Sequence, residues 1–146
     1  MNEQEQAHNR RYLDALARFR GEDDHSRDAI TAYVDALANV TFLHAVRVAD
    51  GDVQVYLTQY GEDPAPLIPV FTSAEEYEAF RGVIPEGYQP VHMHAVPMCQ
   101  MVVEAFPPTT TLAVNPAAAV FARVPPDLIR IVAAAEWHPS PEEPHE

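Results

Sequence analysis

The sequence has no lysine, one cysteine, one tryptophan and five glycines, and no apolar run long enough to cross a bilayer. Each shortage excludes something. A spanning helix needs roughly 20 consecutive apolar residues, so no membrane span is expected. The stretch from Met1 to Arg11 is polar and lacks the apolar centre of a secretory signal. A lone Cys99 cannot form an internal disulfide, which suits a reducing compartment. The expected location is therefore the cytoplasm. The glycines (Gly21, Gly51, Gly61, Gly82, Gly87) form neither a G-x-G-x-x-G nor a P-loop, and without lysine phosphate binding has little to rest on.

Basic charge is also scarce. The nine basic side chains, all arginine, face 22 acidic ones, for a net charge of −13. The imbalance concentrates between Asp50 and Glu104, where nine acidic residues meet only Arg81. Such a surface repels nucleic acid and anionic lipid, because both are held by Lys/Arg contacts to phosphate. It promotes solubility, and it can steer a basic partner.

What is present is enough for one folded domain. The 146 residues are 47% hydrophobic, ample for a core without staples. Glu5 to Arg20 reads as a polar helix with Leu13, Leu16 and Ala17 on one stripe, ended by Gly21 and followed by the acidic loop Glu22-Asp23-Asp24. Ser26 is a suitable cap for a second helix, with Ile30, Tyr33, Val34 and Leu37 at the spacing of a buried face. The period then changes to two. Phe42, His44, Val46 and Val48 share one strand face, Val53, Val55 and Leu57 another, and Asp50-Gly51 between them signals a two-residue hairpin. Gly61 to Pro66 reads as a loop and Leu67 to Phe71 as a short strand whose Pro69 suits an end or edge. Ser73 with Glu76 forms a capping box for a helix that points Tyr77 and Phe80 inward. An irregular Gly/Pro stretch, Gly82 to Pro90, leads to a strand over Val91 to Val96. A helix follows with Met98, Met101, Val102 and Ala105, stopped by Pro107-Pro108. Strands over Thr109–Val114 and Val120–Val124, with Asn115-Pro116 turning between them, precede a last helix carrying Leu128, Ile129 and Val132.

Hairpin strands mixed with helices, without a steady βαβ rhythm, predict a single α+β domain: a mixed, largely antiparallel sheet flanked by helices that cover one face. Residues 1–25 read as an N-terminal helix and acidic loop, 26–137 as the α+β domain, and 138–146 as a Pro/Glu-rich tail expected to be disordered.

Three pieces together resemble a known family: Leu67-Ile68-Pro69-Val70-Phe71-Thr72-Ser73, Glu75-Glu76-Tyr77-Glu78-Ala79-Phe80, and Leu112-Ala113-Val114-Asn115-Pro116. Their order and separation over roughly residues 28 to 133 are similar to the SseB N-terminal domain family, the SseB-like proteins, although Ala117 stands where the family usually has Gly. The resemblance implies a bacterial, cytoplasmic α+β domain with no catalytic residues to carry over. The family's names point to serine sensitivity and secretion, so a secretion-associated or regulatory role is what it implies for function.

No catalytic constellation emerges from the residues. The three serines are used as caps (Ser26, Ser73) or lie in the tail (Ser140), and none sits in a G-x-S-x-G elbow. Cys99 lies in an apolar helix, where a thiol behaves as a small hydrophobe. His92 and His94, two apart on a strand, point to one side and form the candidate pair for a metal or small ligand. Their spacing supplies no third ligand, leaving His44 or Glu104 as candidate donors. His44 itself reads as a core histidine with its hydrogen bonds satisfied. The expectation is accordingly a protein that is not an enzyme, needs no cofactor, binds neither nucleic acid nor membrane, and works as an acidic protein-binding module. Tyr88, Glu75, Glu78 and Glu86 are its expected contact residues, and a protein with a basic surface its expected partner. A homodimer through a sheet edge is a second form of that idea. A metal- or ligand-binding protein centred on His92 and His94 is the alternative.

Overall fold

The computed structural model describes residues 1–21, 27–58, 65–118 and 122–136. The Ser26 cap, the loop at 22–24, most of the 61–66 loop, the start of the 120–124 strand and the 138–146 tail lie outside the described residues.

The first helix, α1, spans Glu3–Gly21. It begins two residues earlier than the sequence pattern predicts because Asn2 and Glu5 cap each other: the Glu5 N–H donates to Asn2 Oδ1 at 2.8 Å, and the Asn2 N–H donates to Glu5 Oε1 at 2.9 Å. Its buried stripe is also turned from the expected one. Asn9, Tyr12 and Leu16 face inward, while Leu13 and Ala17 are exposed. In α2, Arg27–Leu37, the inward residues are Tyr33, Ala36 and Leu37, and Ile30 stays 44% exposed. The Tyr12 and Tyr33 hydroxyls meet at 3.1 Å and join the two helices.

β1 (Thr41–Ala49) and β2 (Asp52–Val55) form the expected hairpin. Asp50 and Gly51 both have positive φ, 55° and 83°, as a tight two-residue turn with the twist of its strands requires. The strand phase is the expected one, but the outer half is not covered. Phe42 and His44 are buried, whereas Val48 and Val53, paired across the hairpin, are 73% and 68% exposed.

β3 is Leu67–Phe71, α3 Ala74–Phe80, and a single 3-10 turn follows at Arg81–Val83. β4 is Gln89–His94 and passes directly into α4, Ala95–Ala105. β5 (Thr111–Val114), β6 (Ala122–Val124) and α5 (Pro126–Ala133) complete the order. Among the described residues six strands form one mixed sheet: β2 and β3 pair with successive parts of one edge of β1, β5 and β6 follow β3, and β4 pairs with the other edge of β1. Only the β3–β5 pair is parallel among the described residues. The architecture is the predicted single α+β domain.

Two expectations change. Pro69 is not at a sheet edge, since β3 lies between β1 and β5. It is tolerated because the pairing on its β1 side is interrupted there: Leu67 bonds Thr58, and the β1 ladder resumes at Val70 and Phe71. A missing N–H falls in that gap at no cost. Helices also cover both faces rather than one. Tyr12, Leu16, Leu37, Met98, Val102, Ile129 and Val132, from α1, α2, α4 and α5, pack on Phe42, Ile68, Val70, Leu112 and Val114. On the opposite face, Tyr77 and Phe80 of α3 pack on Leu43, Ala45 and Phe71. Thr41 to Ala45 is buried without alternation because both of its faces are covered.

Candidate functional site

A buried amide network sets the geometry around α3. Asn9 Nδ2 donates to the carbonyls of Thr41 (2.8 Å) and Thr72 (2.9 Å), and its Oδ1 accepts from the Thr41 N–H at 2.9 Å. Asn115 approaches Thr72 from the other side: its Oδ1 accepts from the Thr72 N–H, and its Nδ2 donates to Thr72 Oγ1, both at 3.0 Å. The Asn115 N–H donates to the Val70 carbonyl at 2.9 Å. Asn115 holds φ at 52°, a conformation that asparagine accepts better than most residues. The Thr-Ser and Asn-Pro signatures are thus two halves of one fastening, joining α1, β1, β3 and β5. Buried side-chain amides are retained when every donor and acceptor finds a partner.

Thr72 leads into Ser73, whose Oγ accepts from the Glu76 N–H at 3.2 Å and starts α3. Starting there, α3 presents Glu75, Glu76 and Glu78 along one wall of a groove of about 640 Å³. Leu43 of β1 and Pro90 and His92 of β4 form its floor, and Gln6, Arg10 and Leu13 of α1 its far wall. Three carboxylates therefore face one guanidinium. Glu78 also meets Arg81 at 3.3 Å, an exposed pair that contributes little.

The structure brings together Glu75, Glu78 and His92 of the predicted contact and ligand residues. It does not bring Tyr88 and Glu86 to the groove. Tyr88 is half-buried, with its ring edge-on to Tyr56 at 5.5 Å and under the Arg47 guanidinium at 5.2 Å. Glu86 is exposed in the turn before Gly87, whose φ is 97°. The groove residues of α1 were missed. The signal was Asn9: a helix-interior asparagine is explained when its amide has backbone partners elsewhere.

His92 and His94 share one face of β4, as their spacing predicts, but find no third ligand among the described residues. His94 caps α4, with its Nδ1 accepting from the Val96 N–H at 3.3 Å. Burial, then the neighbouring His8, lowers its pKa, opposed by Glu5. Neither candidate third ligand is in place. His44 stands on the opposite sheet face from His92, because His92 pairs with Leu43 and Val91 pairs with His44. Glu104 is on the exposed side of α4. Among the described residues no group of three His, Cys, Asp or Glu side chains is placed to hold a metal ion.

His44 also departs from expectation. It is 3% exposed, and its Nδ1 has no hydrogen-bond partner. Burial lowers its pKa to about 4, so the imidazole is neutral at pH 7. Cys99 is buried as predicted, and its thiol is pushed up to about 12. We expect native protein to resist Ellman's reagent at pH 8 and to react with one equivalent in urea; prompt reaction without urea contradicts this burial.

No helix among the described residues is long and apolar enough to cross a membrane. No curated protein and no solved structure shows significant similarity to the chain. A family model described as the SseB protein N-terminal domain matches residues 12–131, from within α1 to within α5 and across both signatures of the fastening. The chain belongs to the SseB N-terminal domain family.

Proposed function

We propose that this domain is a non-catalytic protein-binding module that takes a basic segment of a cytoplasmic partner in the groove beside α3. The observation that carries this reading is the wall of Glu75, Glu76 and Glu78 over a floor of Leu43, Pro90 and His92. It offers partly apolar contact area beside an excess of negative charge, three carboxylates against Arg10 and Arg81, the combination that gives an interface both affinity and steering.

The test uses fluorescein-labelled peptides with four arginines and reads anisotropy at low and high salt. Glu75→Gln/Glu78→Gln is expected to weaken binding about tenfold at low salt, since each exposed charge pair contributes up to about 1 kcal/mol. The salt dependence should shrink with it. Glu3→Gln/Glu104→Gln removes the same charge elsewhere and is expected to change affinity less than twofold. Equal losses from the two pairs would reduce the effect to net charge and overturn the groove as the site.

A further inference from the structure

The open edge of β4 fixes how such a segment lies. β1 shows which β4 groups face outward. The Ala45 carbonyl accepts from the Tyr56 N–H at 2.9 Å, and the Thr41 N–H and C=O are both taken by Asn9. Successive residues of a strand turn their main-chain groups to opposite edges. Thr41, Leu43 and Ala45 thus face β2 and β3, and Phe42, His44 and Val46 face β4. The register pairs those three with Met93, Val91 and Gln89. Pro90 and His92 therefore turn their main chain away from β1, toward solvent. Among the described residues no strand pairs with that edge, and both residues are exposed. Pro90 stands where an N–H would go unpaired, as an edge strand favours. The Pro90 carbonyl and the His92 N–H and carbonyl remain.

The side chains beside this edge differ on its two faces. His92 and Pro90 lie on the face of the acidic groove. Val91 lies on the other, 40% exposed. A strand added here would alternate in the same way, one set of side chains toward the glutamates and the other beside Val91. Resting on the groove reading above, we infer that the partner binds by strand addition to β4, through an extended segment that alternates basic and apolar residues. A second copy fits the edge less well, since two chains of net charge −13 would bring like walls together.

The probe is an eight-residue peptide alternating Arg and Val, with a helix-forming peptide of equal charge beside it. The strand peptide is expected to bind at least tenfold more tightly. N-methylation of alternate amides then reads the geometry. Methylation of the Arg amides abolishes binding if the added strand is antiparallel, because the residue opposite His92 exchanges both bonds with it. Methylation of the Val amides does so if the strand is parallel. In either case one methylated set loses at least tenfold and the other is spared. His92→Pro removes the outward N–H without touching the β1 ladder, so it should keep the native melting curve and bind at least fivefold more weakly than His92→Ala, which loses the same imidazole from the groove floor but keeps the N–H.

Equal effects of the two methylated sets, or a helical peptide that binds as well and remains sensitive to Glu75→Gln/Glu78→Gln, overturn strand addition and leave the groove reading standing. Failure of both peptides to bind overturns both. A concentration-dependent dimer that His92→Pro abolishes overturns the basic segment as occupant of this edge.

Discussion

Replacing Asn115 by alanine is expected to lower stability by about 3 kcal/mol, with a loss on the order of 10 °C in Tm. The side chain accepts from the Thr72 N–H and donates to Thr72 Oγ1 inside the fold. Removing it leaves a buried N–H unpaired, which costs about 1–3 kcal/mol. Alanine at a φ of 52° adds about 1 kcal/mol, because a Cβ without a compensating amide is strained in the left-handed region. Asn115→Gly separates the terms: it relieves the backbone while losing the same bonds, so it should recover about 1 kcal/mol relative to Asn115→Ala. Urea melts of the three proteins check this. An alanine variant within 0.5 kcal/mol of the parent would mean that the fastening does not hold β3 to β5.

The second large effect is a pH dependence that belongs to one side chain. His44 is neutral in the fold, with its pKa lowered to about 4 by burial and its Nδ1 unpartnered. In the unfolded chain it returns to about 6.5. Between those values the unfolded state holds a proton that the folded state does not, so stability falls as pH falls. The loss is absent above pH 6.5, reaches about 2 kcal/mol at pH 5 and about 3 kcal/mol below pH 4. Carboxylates titrate in the same window, so the useful quantity is the difference from His44→Leu, in which every other group is unchanged. The leucine variant should match the parent within about 1.5 kcal/mol at pH 7.5, as swaps of similar volume do, and exceed it by about 2 kcal/mol more at pH 5. A difference that does not change with pH would show that His44 acquires its proton without unfolding.

Much of this fold was legible in the sequence because short-range chemistry decides it. Asp50-Gly51 could hardly be anything but a tight turn, Ser73 caps α3, and Tyr77 and Phe80 point inward as their spacing requires. What stayed hidden depends on partners distant in the chain. The phase of α1 is set by Asn9, whose partners Thr41 and Thr72 are 32 and 63 residues away. Pro69 in an inner strand makes sense only once the pairing gap beside it is known. A period of two predicts the face of Val48 correctly and says nothing of where the helical layer ends. Of the site, the acidic wall was legible as composition. The floor and far wall were not, because β4 and α1 reach the groove through sheet order and not through proximity in sequence.

The central claim, that a basic segment docks beside α3, is tested most directly by titrating the alternating Arg/Val peptide into nitrogen-15-labelled protein and following the amide resonances. The account predicts saturable shifts at Leu43, Glu75, Tyr77, Val91 and His92, reduced in Glu75→Gln/Glu78→Gln. Shifts that instead cluster on the exposed hairpin around Val48 and Val53, or on the α1–α2 surface around Phe19 and Ile30, would contradict it.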